Sequence, residues 1–167
     1  MNRFKHRLIA GITALMLCQI SLATASADLQ TFQPEVVTSN HQNGKWLIVM
    51  LWASDCQICN REAHAYQDFH FEHSDNNATV LGISLDGDSG IDQAQAFVSR
   101  HNIEFPNLIG EPGAVADYYE ELTSTNWVGT PSFLVFSPDG ALAAKQVGAV
   151  PVEIIEQFIA THDPASQ

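Results

Sequence analysis

The stretch WLIVMLWASDCQIC at residues 46–59 contains the two strongest structural signals of the sequence. Its first part, residues 46–53, is a continuous apolar run, which is typical of a central β-strand buried on both faces. Ser54 and Asp55 follow, and both are residue types that favour a helix N-cap, so we expect a helix to begin near Cys56. The stretch therefore predicts a buried strand that leads directly into a helix with two cysteines in its first turn.

The remaining chain alternates between segments with the patterns of strands and of helices. Strands are expected at residues 79–85, 105–109, 132–136 and 141–147, and helices at residues 56–73, 91–101, 113–122 and 152–159. The last two strands are separated by Ser137-Pro138-Asp139-Gly140, a turn signal, so they should be antiparallel. Alternating strands and helices predict an α/β fold, in which a mixed sheet carries helices on both faces.

Composition limits the classes of function. The chain has 167 residues and a net charge of −12, with 7 Lys and Arg against 19 Asp and Glu. This length is about that of one domain. The charge argues against binding to nucleic acid, because no basic surface is available to neutralise phosphates, and against docking to anionic lipid. We divide the chain into a signal peptide at 1–27, an N-terminal extension with a short helix at 28–44, one domain at 45–162 and a tail at 163–167.

The N-terminus has the pattern of a secretory signal peptide. Three basic residues precede an apolar run at residues 8–22, which ends shortly before Ala25-Ser26-Ala27. This pattern predicts cleavage after residue 27 and a periplasmic protein without a stable membrane anchor. An uncleaved anchor is the alternative, although the apolar run is shorter than the ~20 residues that span a bilayer. Cleavage would remove Cys18 and leave Cys56 and Cys59 as the only thiols.

The spacing C-x-x-C places Cys56 and Cys59 opposite each other across one helical turn. Backbone N–H groups at a helix N-terminus favour a thiolate over a thiol at the first cysteine. Thiol–disulfide exchange proceeds by thiolate attack through a mixed disulfide, so we assign Cys56 as the nucleophile and Cys59 as the resolving thiol. A static disulfide and half of a metal site are the alternatives. The histidines His64, His70 and His73 share the helix, but metal ligands rarely all come from one helix.

Three segments together resemble a known family. WASDCQICNRE at 52–62, GISLDGD at 82–88 and GTPSFLVFSPDG at 129–140 are similar, in this order, to the thioredoxin superfamily. More narrowly, they resemble the exported TlpA/ResA-like thiol-disulfide oxidoreductases, over about residues 45–160. The resemblance implies a thioredoxin-like fold and an enzyme with a redox-active disulfide that uses neither a cofactor nor a metal. Its substrates would be cysteines of exported proteins, such as apocytochrome c, and a membrane electron donor would recharge it.

The resemblance also implies a substrate-binding segment at Thr130 and Pro131. It implies that the Thr130–Pro131 peptide bond is cis and packs against the C-x-x-C, and a cis bond costs little before proline. The backbone of Thr130 could then pair with an extended substrate, as in β-augmentation. A trans proline at the start of an edge strand is the alternative. Trp127, shortly before this segment, could contact substrate or serve only in packing.

Glu62 is the third candidate site residue, three positions after Cys59. Counted from Ile58, it falls at +4 on the same face as the expected apolar stripe, whose other members are Ala65, Tyr66 and Phe69. An unpaired carboxylate is costly on a buried face and tends to stay protonated there. The resemblance implies that Glu62 tunes or shuttles protons for the thiols. A first-turn acid that complements the helix dipole is the alternative.

Asp55 departs from the family pattern, in which a tryptophan usually precedes the first cysteine. A carboxylate beside Cys56 should disfavour the thiolate, so the sequence predicts a reducing couple rather than an oxidant such as DsbA, whose potential is about −120 mV. Asp55 could instead serve only as a helix N-cap. Asp86 and Asp88 end a strand near the same expected edge, where loop solvation is the simpler interpretation.

The sequence is compatible with two other functions. A copper chaperone on the same fold would bind Cu(I) through the thiols, but such proteins generally carry C-x-x-x-C and a distant loop histidine. No histidine lies between His101 and His162. A thiol peroxidase would need a Pro-x-x-x-Thr-x-x context before its cysteine, and Ala53-Ser54-Asp55 offers neither residue at the positions closest to Cys56.

Overall fold

The computed structural model describes residues 29–41 and 44–162, so the predicted signal peptide and C-terminal tail lie outside the described part. The strands are β1 Gln30–Thr31, β2 Trp46–Trp52, β3 Ala78–Ser84, β4 Asn107–Ile109, β5 Ser132–Phe136 and β6 Leu142–Val147. The helices are α1 Pro34–His41, α2 Gln57–His73, α3 Ile91–Arg100, α4 Pro112–Thr123 and α5 Val152–His162. A short 3₁₀ turn, Asp88–Gly90, precedes α3.

The strands form a single mixed sheet in the order β1-β4-β3-β2-β5-β6. Strands β1, β4, β3 and β2 are parallel, whereas β5 is antiparallel to β2 and β6 is antiparallel to β5. Strand β2 is central, and all seven of its residues are buried. This position explains its unbroken apolar sequence, because both faces of the strand are covered by protein. The predicted mixed sheet and terminal antiparallel hairpin are confirmed.

Helices cover both faces of the sheet, as predicted. Alternate side chains of β2 point to opposite faces, as in any strand, and each set joins a separate hydrophobic cluster. The cluster on one face contains buried residues of α2, α3 and α5 together with Trp46, Ile48, Met50 and Trp52. The cluster on the other face contains Val37 of α1, Val115 and Tyr119 of α4, and Leu47, Val49 and Leu51.

The N-terminal segment contributes to the same sheet. Helix α1 agrees with the short helix expected there, and strand β1, which was not expected, pairs with β4 through Gln30 and Leu108. The Phe32 N–H also donates to the Ile109 carbonyl at 2.7 Å. Both residues of β1 are exposed. A two-residue strand with exposed side chains has no hydrophobic alternation, so its sequence gives no signal.

His70 on α2 makes stability depend on pH. The Val80 N–H donates to its Nδ1 at 3.2 Å, so this nitrogen serves as an acceptor in the neutral ring. Burial lowers the pKa of His70 below its ordinary value; the charge of Glu104 acts in the opposite direction, and that of Lys45 lowers it further. The unfolded chain therefore takes up a proton first as the pH falls below about 6.5. Folding stability contributed by neutral His70 should decrease from that pH downwards.

We expect His70→Asn to reduce this pH dependence, because the asparagine side chain can offer an acceptor without a titratable group. Urea unfolding at pH 7.5 and 5.5 measures the effect. The wild type should lose more unfolding free energy between these two conditions than the variant. Identical losses in the two proteins would contradict this role of His70.

Candidate active site

The cysteine pair and the Thr130-Pro131 segment arise from the same edge of the sheet. Strand β2 ends at this edge, and four residues later the chain reaches Cys56. Strand β5 is antiparallel and begins there, with Ser132 opposite Leu51 of β2. Pro131, the residue before Ser132, is therefore placed beside the end of β2. The register of the two strands thus brings together two segments that are far apart in sequence.

Cys56 and Cys59 form a disulfide, with their Cα atoms 5.2 Å apart. Cys56 is the N-cap of α2 and is half-buried, whereas Cys59 is 0% exposed and belongs to the hydrophobic core. The Cys59 N–H lies 3.0 Å from the Cys56 sulfur and points at it. The pair is therefore asymmetric: Cys56 is partly exposed and its sulfur receives a backbone donor, whereas Cys59 is enclosed.

The expectation that Ser54 or Asp55 caps α2 is wrong. The carboxylate of Asp86 accepts hydrogen bonds from the Ser54 N–H at 3.0 Å and the Ser54 hydroxyl at 2.7 Å. It also accepts one from the Ser84 hydroxyl at 2.6 Å. Ser54 is thus engaged elsewhere, Asp55 is exposed, and the helix begins one residue after Cys56. Loop solvation was the simpler interpretation of Asp86 from the sequence, but its hydrogen bonds hold the loop before the cysteines.

Glu62 lies at the edge of the buried face of α2 rather than within it. The buried residues of this helix are Cys59, Ala63, Tyr66 and Phe69. The predicted stripe was wrong at Ile58 and Ala65, which are only half-buried, as is Glu62. Burial raises the pKa of Tyr66, and the nearby charge of Glu62 adds to this effect. Glu62 is therefore a partly solvated carboxylate one turn beyond Cys59.

Hydrogen bonds link α2 to the Thr130-Pro131 segment. The Tyr66 hydroxyl donates to the Val150 carbonyl at 2.9 Å, and its ring stacks on Phe133 with centroids 4.7 Å apart. The Gly148 N–H, in the same loop as Val150, donates to the Pro131 carbonyl at 2.9 Å. The Thr130–Pro131 peptide bond is cis, as the resemblance implied. The helix that carries the cysteines thus also fixes the loop that contacts Pro131.

Trp127 is half-buried and packs against the cluster beneath α4. Its backbone N–H donates to Glu120 at 3.0 Å. The packing interpretation accounts for these contacts, and a substrate contact by Trp127 stays a prediction. Its neighbour Val128, which belongs to none of the sequence motifs, is 75% exposed and lies two residues before Thr130. The sequence signal that could have identified Val128 is an apolar residue in the loop directly before Thr130.

Among the described residues, no group of three or more potential metal ligands includes Cys56 or Cys59. Within residues 29–41 and 44–162, the group close enough to hold a metal is Glu72, His73 and Glu156. It lies where α2 ends, whereas the cysteines lie where α2 begins, and His73 Nε2 is 3.2 Å from Glu156 Oε1, within hydrogen-bond distance. No helix in the described part of the chain is both long enough and apolar enough to span a membrane.

Several curated proteins are similar to this chain in sequence. The thioredoxin-like protein YneN of Bacillus subtilis is 26% identical over 129 residues, which cover 77% of this chain and 72% of YneN. The thiol-disulfide oxidoreductase ResA of Oceanobacillus iheyensis is 25% identical over 118 residues, which cover 70% of this chain but only 56% of ResA. A shorter match of 77 residues, 43% of this chain, is 32% identical to alkyl hydroperoxide reductase C of Mycobacterium tuberculosis and covers 38% of it.

A thiol:disulfide interchange protein of the thioredoxin family from Chlorobium tepidum superposes with a TM-score of 0.65 at 16% identity. The superposition covers 74% of this chain and 83% of that one, and it confirms the thioredoxin-like fold. The sequence model of the AhpC/TSA family matches residues 22–145, from before β1 to within β6. This match extends over more than half of the sequence and includes both cysteines. The chain therefore belongs to the AhpC/TSA family.

Proposed function

We propose that this protein is a periplasmic thiol:disulfide oxidoreductase that reduces disulfides of exported proteins with the Cys56–Cys59 pair. The observation that carries the proposal is the asymmetry of the pair. Cys56 is accessible and its sulfur faces a backbone N–H, whereas Cys59 is enclosed in the core. An accessible thiol with a donor beside it can attack another molecule, and an enclosed neighbour can reach only the sulfur next to it.

In the proposed reaction, the thiolate of Cys56 attacks a substrate disulfide and releases one substrate thiolate, which takes up a proton. Cys59 then loses its proton and attacks the Cys56 sulfur as a thiolate, and the second substrate sulfur leaves as a thiolate that takes up a proton. The substrate gains two electrons and two protons, and the pair becomes the disulfide seen here. Glu62, one turn beyond Cys59 and partly solvated, is the group we assign to receive the proton of Cys59.

We assign the segment around Pro131 to substrate binding. It begins strand β5 at the edge where Cys56 lies, so a bound peptide could reach the sulfur. Thr130 is half-buried, and Trp127 and the exposed Val128 precede it. We propose that backbone groups of Thr130 pair with an extended peptide, while the apolar side chains before it contact residues beside the substrate cysteine.

The charges around Cys56 support the proposed reducing direction. Asp55 is exposed and adjacent to Cys56, and the chain as a whole carries a net charge of −12. Negative charge disfavours the thiolate, so the reduced form gains little stabilisation and gives up its electrons readily. A membrane electron donor would then restore the dithiol. We include the cysteines of apocytochrome c in the proposed substrate class. The predicted signal peptide, residues 1–27, supports the periplasmic location.

Equilibration with glutathione redox buffers tests the activity and its direction together. The fraction of disulfide in the pair, followed by alkylation and mass spectrometry, gives the reduction potential. We expect a potential closer to the about −270 mV of thioredoxin than to the about −120 mV of DsbA. A value near −120 mV would make the protein an oxidant and refute the proposed direction. A pair that never exchanges with glutathione would refute the proposed activity.

A thiol peroxidase is the second candidate, because the chain belongs to the AhpC/TSA family and shares a 77-residue similarity with alkyl hydroperoxide reductase C. Residues 53–55 lack the Thr that such a site is expected to place before its cysteine. Hydrogen peroxide consumption by the reduced protein distinguishes the two functions. Turnover comparable with disulfide exchange would favour the peroxidase. Titration of the reduced protein with Cu(I) tests the copper chaperone in the same preparation.

A further inference from the structure

We infer that Asn60 is a positioning residue that holds the Cys56 turn and thereby sets the redox equilibrium of the pair. This inference rests on the proposed thiol–disulfide exchange. Asn60 directly follows Cys59 on α2. Its side-chain Nδ2 donates to two backbone carbonyls, that of Ser54 at 3.1 Å and that of Cys56 at 2.9 Å. These carbonyls flank Asp55, so one amide group spans the turn that leads to the reactive sulfur.

The other side of the same amide is held by the end of α3. Its Oδ1 accepts a hydrogen bond from Arg100 Nη1 at 3.1 Å and lies 3.0 Å from His101 Nε2. Because two carbonyls fix Nδ2 as the donor, Oδ1 must accept, and His101 must donate through Nε2. Asn60 is thus held by hydrogen bonds on both sides, between the cysteine loop and a helix 40 residues further along the chain.

His101 is suited to hold this orientation. It is only 8% exposed, and its Nδ1 has no hydrogen-bond partner among the described residues. Burial lowers the pKa of His101, and the neighbouring His64 and Arg100 lower it further. The ring therefore stays neutral near pH 7, with its hydrogen on Nε2 facing Asn60. Arg100 adds a permanent charge that polarises the amide and strengthens donation by Nδ2.

The consequence concerns the direction of the Cys56 sulfur. The Cys59 N–H can stabilise a thiolate only while Cys56 keeps its N-cap conformation. Loss of the Asn60 side-chain amide removes the donor to the Ser54 carbonyl and one of the two donors to the Cys56 carbonyl, which keeps the Asn60 backbone N–H at 3.0 Å. The segment before Cys56 is then held less firmly and can relax. The reduced form should then lose stabilisation relative to the disulfide, so the pair should become more reducing.

Asn60→Ala and Asn60→Asp test this role, with Arg61→Gln as the matched control. Aspartate keeps the shape of the side chain but directs a carboxylate oxygen at the two carbonyls. Arg61 is the exposed next residue of the same helix, so its replacement changes local charge without touching the amide. In glutathione buffers, we expect both Asn60 variants to shift the equilibrium about fivefold towards the disulfide, which is about 20 mV more negative. Arg61→Gln should leave the equilibrium unchanged within the error of the measurement.

Arg100→Gln, at an exposed position, provides a second variant if an Asn60 variant does not fold. It should shift the equilibrium towards the disulfide by about twofold. A merely structural role would lower the melting temperature without moving the equilibrium. Unchanged equilibria in the folded Asn60 and Arg100 variants, with exchange intact in the wild type, would overturn the inference. Shifts of the same size in Arg61→Gln would assign the effect to charge and also overturn it. Absence of exchange in the wild type would instead refute the proposed function.

Discussion

Replacing Cys56 by serine is expected to abolish disulfide exchange, with a rate more than about 10³-fold below that of the wild type. A hydroxyl group cannot form the mixed disulfide, and Cys59, the other thiol of the pair, is enclosed in the core. The measurement is the rate at which the reduced protein cleaves the disulfides of a model substrate in a single turnover. Circular dichroism should show the same fold in wild type and variant.

Cys59→Ser is the matched control for this experiment. This variant keeps the accessible Cys56, so it should still attack a substrate disulfide, but it lacks the thiol that releases the product. A stable mixed disulfide on Cys56 should therefore accumulate, visible as a mass increase that dithiothreitol removes. If Cys56→Ser kept disulfide exchange, the assigned roles would be contradicted. The same holds if Cys59→Ser lost the attack on the substrate disulfide while Cys56→Ser kept it.

Replacing Gly82 by alanine is expected to lower the free energy of unfolding by about 2–6 kcal/mol. Gly82 lies in β3 beneath a buried hydrogen bond, 3.0 Å long, from Trp52 Nε1 to Asn107 Oδ1. A Cβ at this position would collide with the Asn107 side chain and lie 2.8 Å from Trp52 Nε1. Overpacking costs about 1–3 kcal/mol, and a buried polar group left without its partner costs about as much again.

Gly113→Ala is the control for this substitution. Gly113 lies in the first turn of α4, and a Cβ there would meet no atom within 4 Å. We expect this variant to gain about 0.5–1 kcal/mol, because alanine loses less conformational freedom than glycine in a helix. Urea unfolding curves of both variants measure the difference. A Gly82→Ala protein as stable as the wild type would show that the packing around Trp52 is looser than described.

Local sequence patterns were sufficient to predict most of the fold. The apolar run at 46–53 is typical of a strand covered on both faces, and the structure has β2 at Trp46–Trp52. The turn before β6 predicted the antiparallel hairpin. The cysteines were recognisable because their spacing along one helix is itself the chemical signal. Thr130 and Pro131 were found through the family resemblance, and the strand register then placed them at the edge beside Cys56.

Residues that act through long-range contacts could not be predicted. Asp86 meets Ser54 across 32 positions, and Asn60 meets His101 across 41. No periodicity connects such pairs. The sequence analysis predicted the wrong buried face for α2, because it counted Ile58 as a core residue and gave Cys59 only a chemical role. In the structure the first turn of the helix is only partly covered, so Ile58 is half-buried while Cys59 packs into the core.

The central claim is that Cys56 exchanges disulfides with other exported proteins, and covalent trapping in the cell tests it most directly. Full-length Cys59→Ala is expressed, free thiols are blocked with acid and alkylation, and linked proteins are separated without reductant. We predict partners joined to Cys56 that dithiothreitol releases and that are absent when Cys56 is also replaced by alanine. Recovery of no linked protein, or of the same proteins from the double variant, would contradict the account.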